Sequence, residues 1–383
     1  MRYFSRLINK VPRSLRYILA LFLTTRVALT IIGVVSRLLL EPHRHKYFEA
    51  VYPRQLWLNI WVNWDAGWYL RIASFDWYSQ NARVAAHKGV FGFFPAYPFL
   101  IRIIGFILHN NVIAGILISN FFLLVASVFL YKLVKLNDDL ETSLRSVKYL
   151  FLFPSAFIFS GVFNDSLYLA LTLISFYYAK KDNFIYAAIM GFFIALTKPQ
   201  GAFIIFPLLY LYLKNKDFRL GRIKIDIIFL LLIPLGLAVF LFYTHYLTGD
   251  WLKGCHVAGK LWGFGLHNPF RNITTALFFR NDISVSFPIY FSSAMLLVFL
   301  LFYRQVEFSY WLFGATQFLL SFSYGSDVVL LCLLRHILPI FPLYIIFARL
   351  GKDRQLDLMS TVLFALLQGF LMVFWCNGFT IVM

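Results

Sequence analysis

The sequence predicts an all-α polytopic membrane protein, and three observations carry that prediction. Hydrophobic residues fill 61% of the 383 positions, and the mean hydropathy is +0.74. Charged residues make up 14%, where a soluble chain carries about a quarter. The basic residues stand at the ends of apolar runs, where they anchor and orient spans. That distribution turns the net charge of +18 away from nucleic-acid binding and towards a membrane. Cys255, Cys332 and Cys376 are too scattered for a metal site, and their odd number speaks against a full disulfide framework. No cleavable signal pattern is seen, so the first apolar run is expected to act as an uncleaved anchor.

Taken in order, residues 1–16 form a basic arm without an acid, which places the N-terminus in the cytoplasm by the positive-inside rule. Tyr17 to Leu40 then crosses outward, with Arg26 deep enough to be expected inside the bundle and paired there. Residues 41–111 make a long outer segment. Within it, Leu56 to Ala73 is expected to form an amphipathic interfacial helix. Phe94 to His109 is about 16 residues, short of the roughly 20 needed to cross. It carries Arg102 and is expected to lie on the outer face. Four basic clusters around residues 132–148, 180–181, 214–224 and 349–354 fix the cytoplasmic turns. Between them run Val112 to Val134, Val147 to Val162, Ser166 to Ala179, Phe184 to Thr197, Gly201 to Leu213 and Ile225 to Leu247. A second outer loop covers residues 248–283. Ser284 to Tyr303, Phe308 to Tyr324, His336 to Leu350 and Leu358 to Trp375 follow. The total is about eleven transmembrane helices plus outer juxtamembrane helices, in one domain over 1–383. No internal repeat of the transporter kind and no separate soluble domain is seen.

On this topology the mixed polar residues gather on the outer side: Asp65, Asp76, Asp165, Lys198, Gln200, Asp250, His256, Lys260, His267, Arg335 and His336. Carboxylates and cations together at a membrane boundary suit transfer from a lipid-phosphate donor. Cations hold the phosphate and a carboxylate activates the accepting hydroxyl. Asp65 lies in NWDAGWYL, where Gly67 permits close backbone approach and Trp64 and Trp68 offer faces for a sugar. An interfacial aromatic anchor with an incidental acid is the plainer reading of the same stretch. Asp76 reads as a solvated loop acid. Asp165 in FNDSLYL reads equally as a helix N-cap and as a site residue. Lys198 stands outside against the positive-inside bias, which points to phosphate, although anchoring a span end needs only the same residue. Arg335 has the planar fork that suits phosphate, and His336 beside it reads as a structural polar group. His256 and His267 lack the spacing of a zinc site. Asn164-Asp-Ser and Asn272-Ile-Thr fit the glycosylation triplet, which is common by chance.

NWDAGWYLRIA followed by FFPAYPFLIRIIG resembles the opening of the PIG-V family of mannosyltransferases and its shorter bacterial members. The likeness continues through FLFPSAFIFSGVFNDSLYLALTLISFYYA, GFFIALTKPQGAFIIFPLL, HYLTGDWLKGCHVAGKLWGFGLHNP and RHILPIFPLYIIFARL, in order over most of the chain. The resemblance implies a GT-C-class membrane glycosyltransferase fold. It implies a polyprenyl- or dolichyl-phosphate sugar donor, usually mannose, and an outer-loop Asp as catalytic base, which falls on Asp65. The family tends to have Glu at the position of Asp165 and Arg at that of Lys198, so a shorter acid and a point charge replace a longer acid and a fork.

The function expected is inverting sugar transfer at the periplasmic or luminal face. Asp65 is the base, Lys198 and Arg335 stabilise the departing phosphate, and Asp165 positions the acceptor or the catalytic loop. Gln200, His336, Trp64 and Trp68 complete the binding set. The partners expected are the lipid-linked donor, a glycolipid or glycan acceptor and membrane lipids, with no nucleic acid. No resident cofactor is expected, and a divalent metal is left open. The location expected is a bacterial inner membrane, or the endoplasmic reticulum in a eukaryote. A transporter or flippase of lipid-linked sugars is the alternative, and a structural membrane subunit a third reading.

Overall fold

A computed structural model describes residues 12–41, 55–74, 77–79, 85–270, 273–274, 283–325 and 332–382. Asp76, Asn272 and the arm up to residue 11 fall outside them. The described chain is almost wholly helical. In order the helices are α1 (Arg13–Leu39), α2 (Leu56–Asn59), α3 (Ala66–Ser74), α4 (Ala96–Leu108), α5 (Asn111–Lys135) and α6 (Leu140–Leu152). Then come α7 (Asp165–Lys180), α8 (Phe184–Ala195), α9 (Ile205–Asn215), α10 (Leu232–Thr248) and α11 (Lys253–Trp262). The chain closes with α12 (Ile283–Leu301), α13 (Phe308–Ser323), α14 (Leu333–His336), α15 (Phe341–Leu350) and α16 (Arg354–Cys376).

Among the described residues five helices are long and apolar enough to cross a membrane: α1, α5, the run Ile225–Thr248 that includes α10, α12 and α16. The other expected crossings are shorter or broken. The run expected over Val147 to Val162 stops at Leu152, because Phe153 precedes Pro154 and takes the extended backbone that a following proline imposes (ψ 135°). A 3-10 turn, Ala156–Ser160, leads on to α7. The run His336 to Leu350 is likewise divided, with α14 and α15 on either side of Pro339. Asn110, Asp139, Asn183 and Asp353 cap α5, α6, α8 and α16 by accepting from backbone N–H groups of the first turn.

The expected basic turns meet at one end of the bundle. Arg349 donates to Asp138, with Nη2 at 2.7 Å, and Glu307 holds both Lys180 (2.7 Å) and Lys214 (2.5 Å). Asp357 accepts from Lys148 at 2.7 Å. Arg26 is buried in the interior as expected. Its partners are neutral oxygens and not an acid: Nη1 donates to Ser160 Oγ at 2.8 Å and to the Ala156 carbonyl at 3.2 Å.

Two expectations for the outer segment change. Leu56 to Ala73 is two helices with a turn between them, and not one helix lying in the interface. Ile60, Trp61 and Val62 are buried, and the Trp61 carbonyl accepts from Val162 N at 3.0 Å, so this apolar run plugs into the bundle. Phe94 to His109 becomes α4, which folds back along α5 in place of lying across its end. Gly105 faces Asn111, Ile101 faces Gly115, and Tyr97 Oη meets Ser119 Oγ at 2.6 Å. Each step of about four residues down α4 is matched by one of four up α5, which is the register of an antiparallel hairpin.

The two long segments expected on the outer side pack on each other. The 3-10 stretch Ala85–Gly92 packs on α11, and a side chain at Gly254 would collide with the Phe91 carbonyl. Strand β1 (Gly265–Leu266) pairs antiparallel with β2 (Tyr324–Gly325).

Candidate active site

The turn before α3 places the first member of the site. Trp64 takes a left-handed backbone (φ 58°), an uncommon conformation for a bulky residue, and the chain then enters α3 one residue after Asp65. Four residues on, along the same face of this turn and helix, stands Tyr69. The 3-10 turn after α6 delivers Phe163, Asn164 and Asp165 to the start of α7. The break between α8 and the 3-10 stretch Pro199–Ile204 delivers Thr197 and Lys198, and α14 delivers Arg335.

These residues form one charged cluster. Arg335 Nη1 donates to Asp65 Oδ2 at 2.7 Å, and its Nε donates to Asp165 Oδ2 at 2.8 Å. Arg335 Nη2 reaches Tyr69 Oη at 3.1 Å and Asn164 Oδ1 at 3.3 Å. Lys198 Nζ donates to Asp165 Oδ1. The Arg335 guanidinium lies 4.5 Å over the Phe163 ring, and the Lys198 ammonium 5.5 Å over that of Tyr168. Asn164 Nδ2 donates to the Thr197 carbonyl at 2.6 Å, joining the two turns.

Two carboxylates and two cations balance, as burial demands. Asp165 is wholly buried and gives one oxygen to each cation. Expected to position the acceptor or the catalytic loop, it holds the two cations side by side, and through Arg335 it is linked to Asp65 in the turn before α3. Asp165 also opens α7 with Asn164 in the cap position, so it is not the cap, and its side chain serves the cluster. Asp65 is the one carboxylate of the cluster with an open side, its side chain 30% exposed, and only its Oδ2 is engaged among the described residues. Burial raises the Asp65 carboxyl above its ordinary value, against the opposing pull of Arg335. A guanidinium has five N–H bonds and an ammonium three. Four of the five and one of the three are engaged by partners among the described residues.

The cluster is sunk into the bundle. Ser119 Oγ donates to the Phe163 carbonyl at 3.3 Å, and Ser119 lies eight residues into α5, about 12 Å from its N-terminal end.

The remaining candidates scatter. Gln200 makes no hydrogen bond or ion pair with the cluster among the described residues, and His336 lies beside it against Tyr324, ring centroids 6.3 Å apart. Trp68 is a packing residue. Phe93 stacks on it at 5.9 Å, Trp262 meets it edge-on, and Arg71 sits 5.2 Å over its ring. Gly67 has nothing within 4 Å of where a side chain would stand, so it is not there for close backbone approach among the described residues. Asp250 pairs with His256 at 2.8 Å in its own loop, and the His267 amide donates to the Ser323 carbonyl. No group of three metal-ligating side chains occurs among the described residues. Asn164 is 3% exposed, which removes it as a glycosylation acceptor in the folded chain. Tyr69, Phe163 and Tyr168 carry no sequence signal of their own beyond the four-residue spacing of Asp65 and Tyr69, and Asn164 stood out only as a glycosylation triplet.

Compared with known proteins, the chain matches no family model and no curated protein sequence.

Proposed function

We propose that the chain is a membrane glycosyltransferase of the GT-C type, similar to the PIG-V mannosyltransferases. It would move a sugar, mannose by that resemblance, from a polyprenyl- or dolichyl-phosphate donor to a glycolipid or glycan acceptor. The observation that carries the reading is the juxtaposition in one ion-paired cluster of a partly exposed carboxylate, Asp65, and two cations, Arg335 and Lys198.

The acceptor hydroxyl attacks the anomeric carbon from the side opposite the phosphate. Its proton passes to Asp65 as the new carbon–oxygen bond forms. The bond from the anomeric carbon to the phosphate oxygen breaks, and that oxygen leaves with the electron pair. Arg335 and Lys198, both buried, stabilise the charge growing on it. A raised pKa suits Asp65 to this work, because a base is most effective when its pKa lies near the working pH. Phosphate arriving on Arg335 competes with Asp65 for the guanidinium and loosens the carboxylate for its proton. Asp165 keeps both cations in place throughout. The outward orientation of the cluster belongs to this proposal.

The test is transfer by purified protein from a radiolabelled polyprenyl-phosphate mannose to lipid acceptors, followed by mass spectrometry of the product. Absence of any covalent product, together with movement of the donor across vesicles, would replace the proposal with the flippase reading.

A further inference from the structure

Tyr69 takes no part in the bond changes of the proposed transfer, yet it is bonded to Arg335. Its ring is 2% exposed and is fixed by edge-on contacts to Phe93 at 5.1 Å, Tyr97 at 5.3 Å and Phe163 at 6.3 Å. Phe163 in turn lies under the Arg335 guanidinium. The phenol oxygen is therefore held in place, and Arg335 Nη2 donates to it at 3.1 Å. Burial raises the phenol above its ordinary value, so it keeps its proton and meets the guanidinium as a neutral acceptor.

The partners of Arg335 divide its fork between them. Nε is on Asp165 and Nη1 on Asp65, while Nη2 has Tyr69 and Asn164 as acceptors for its two N–H bonds. Asp65 and Tyr69, one helical turn apart, take one Nη each. An arginine and a carboxylate free to do so commonly pair two nitrogens with two oxygens. For Asp65 the second nitrogen would be Nη2, and Tyr69 occupies it. We propose that Tyr69 is a positioning residue, which keeps the contact of Arg335 with Asp65 to a single hydrogen bond and so preserves the carboxylate as a base. The role rests on Asp65 being the base of the proposed transfer. A doubled grip would occupy both carboxylate oxygens, leave none for the acceptor hydroxyl and lower the affinity of Asp65 for a proton. The other groups that act on Asp65 are Asp165, Lys198 and Cys332, and none of them bonds it among the described residues. His336 faces Lys198, Arg335 and Asp165. Removal of the Tyr69 hydroxyl therefore changes the fork alone.

The test follows the Asp65 carboxyl by infrared difference spectroscopy of the detergent-purified full chain against pH, with Asp65→Asn to assign its band. Tyr69→Phe keeps the ring and its three contacts and loses only the hydroxyl. The Asp65 midpoint should fall by about one pH unit, a tenfold loss of proton affinity. In an Arg335→Lys background the ammonium has no fork, and Tyr69→Phe should then produce no shift. Tyr69→Met repeats the measurement if the Phe variant is not monodisperse. In transfer assays Tyr69→Phe should turn over about tenfold more slowly with donor KM near the parent's, because Asp165 still holds both cations. An Asp65 midpoint that stays in place or rises in Tyr69→Phe overturns the proposal. So does a shift that persists in the Arg335→Lys background, or undiminished turnover in Tyr69→Phe beside an active parent. A parent that transfers nothing ends the glycosyltransferase reading, and the infrared midpoint still decides whether Tyr69 governs the grip on Asp65.

Discussion

Replacing Asp165 by Asn tests the cluster as a physical object, apart from any reaction. Asp165 is fully buried and is the partner of Lys198 and, at 2.8 Å, of Arg335. Asparagine keeps its size and removes its charge. Two buried cations then share one neighbour, Asp65, which touches only Arg335 among them, and Lys198 is left without a counter-ion in a setting 5% exposed. Breaking a buried pair by removing one partner costs about 3–5 kcal/mol. Asp65→Asn also removes one charge, but at a 30% exposed position with water at hand, where the cost is about 1 kcal/mol or less. The assay is thermal unfolding in detergent followed by monodisperse elution. Asp165→Asn should melt on the order of 10 °C below the parent and Asp65→Asn close to it. Adding Lys198→Met to Asp165→Asn restores the balance of charge and should recover much of the loss. A parent-like melting temperature for Asp165→Asn would refute the account, as would a failure of the second substitution to help.

Other outcomes follow from the same geometry. Arg335→Lys keeps one charge but cannot reach Asp65, Asp165 and Tyr69 together, so turnover should fall about 10²-fold with donor binding weakened, read from initial rates against donor concentration. The rate should rise with pH as Asp65 loses its proton, since only the ionised carboxylate accepts one. Because burial raises that pKa, the acidic limb of the profile should lie above the ordinary Asp value of about 3.9, and a limb at or below it would contradict the assignment. Gly236→Ala would put a methyl group 2.4 Å from the Phe192 carbonyl where α10 crosses α8, costing about 1–3 kcal/mol by thermal melting, while Gly67→Ala, with open space, should leave stability unchanged or improved.

The long apolar runs and the end-on basic clusters were legible because hydropathy and charge act locally. The same locality explains the failures. Nothing in Phe94 to His109 states that Gly105 and Gly115 will let α4 fold flat against α5, since each glycine matters only through its neighbour on the other helix. Pro154 and Pro339 were visible, and their breaks were readable in principle; length alone hid them under a continuous apolar pattern. For the site, charge in an apolar context marked Asp65, Asp165, Lys198 and Arg335, and all four converge. The division of labour among them was not readable, because it depends on which carboxylate is sealed and which is open. Tyr69, Asn164 and Phe163 are ordinary residues by type and acquire a role only from the guanidinium that lands on them. Trp68 shows the converse, since an aromatic suited to a sugar is spent on Phe93 and Trp262.

The most direct measurement is sugar transfer from a polyprenyl-phosphate mannose donor by the purified parent and by Asp65→Asn, side by side. The parent should form a glycosylated acceptor. The variant should melt like the parent and bind donor, yet transfer 10²- to 10⁴-fold more slowly, the contribution of a general base. An Asp65→Asn protein that transfers at the parent's rate would contradict the account.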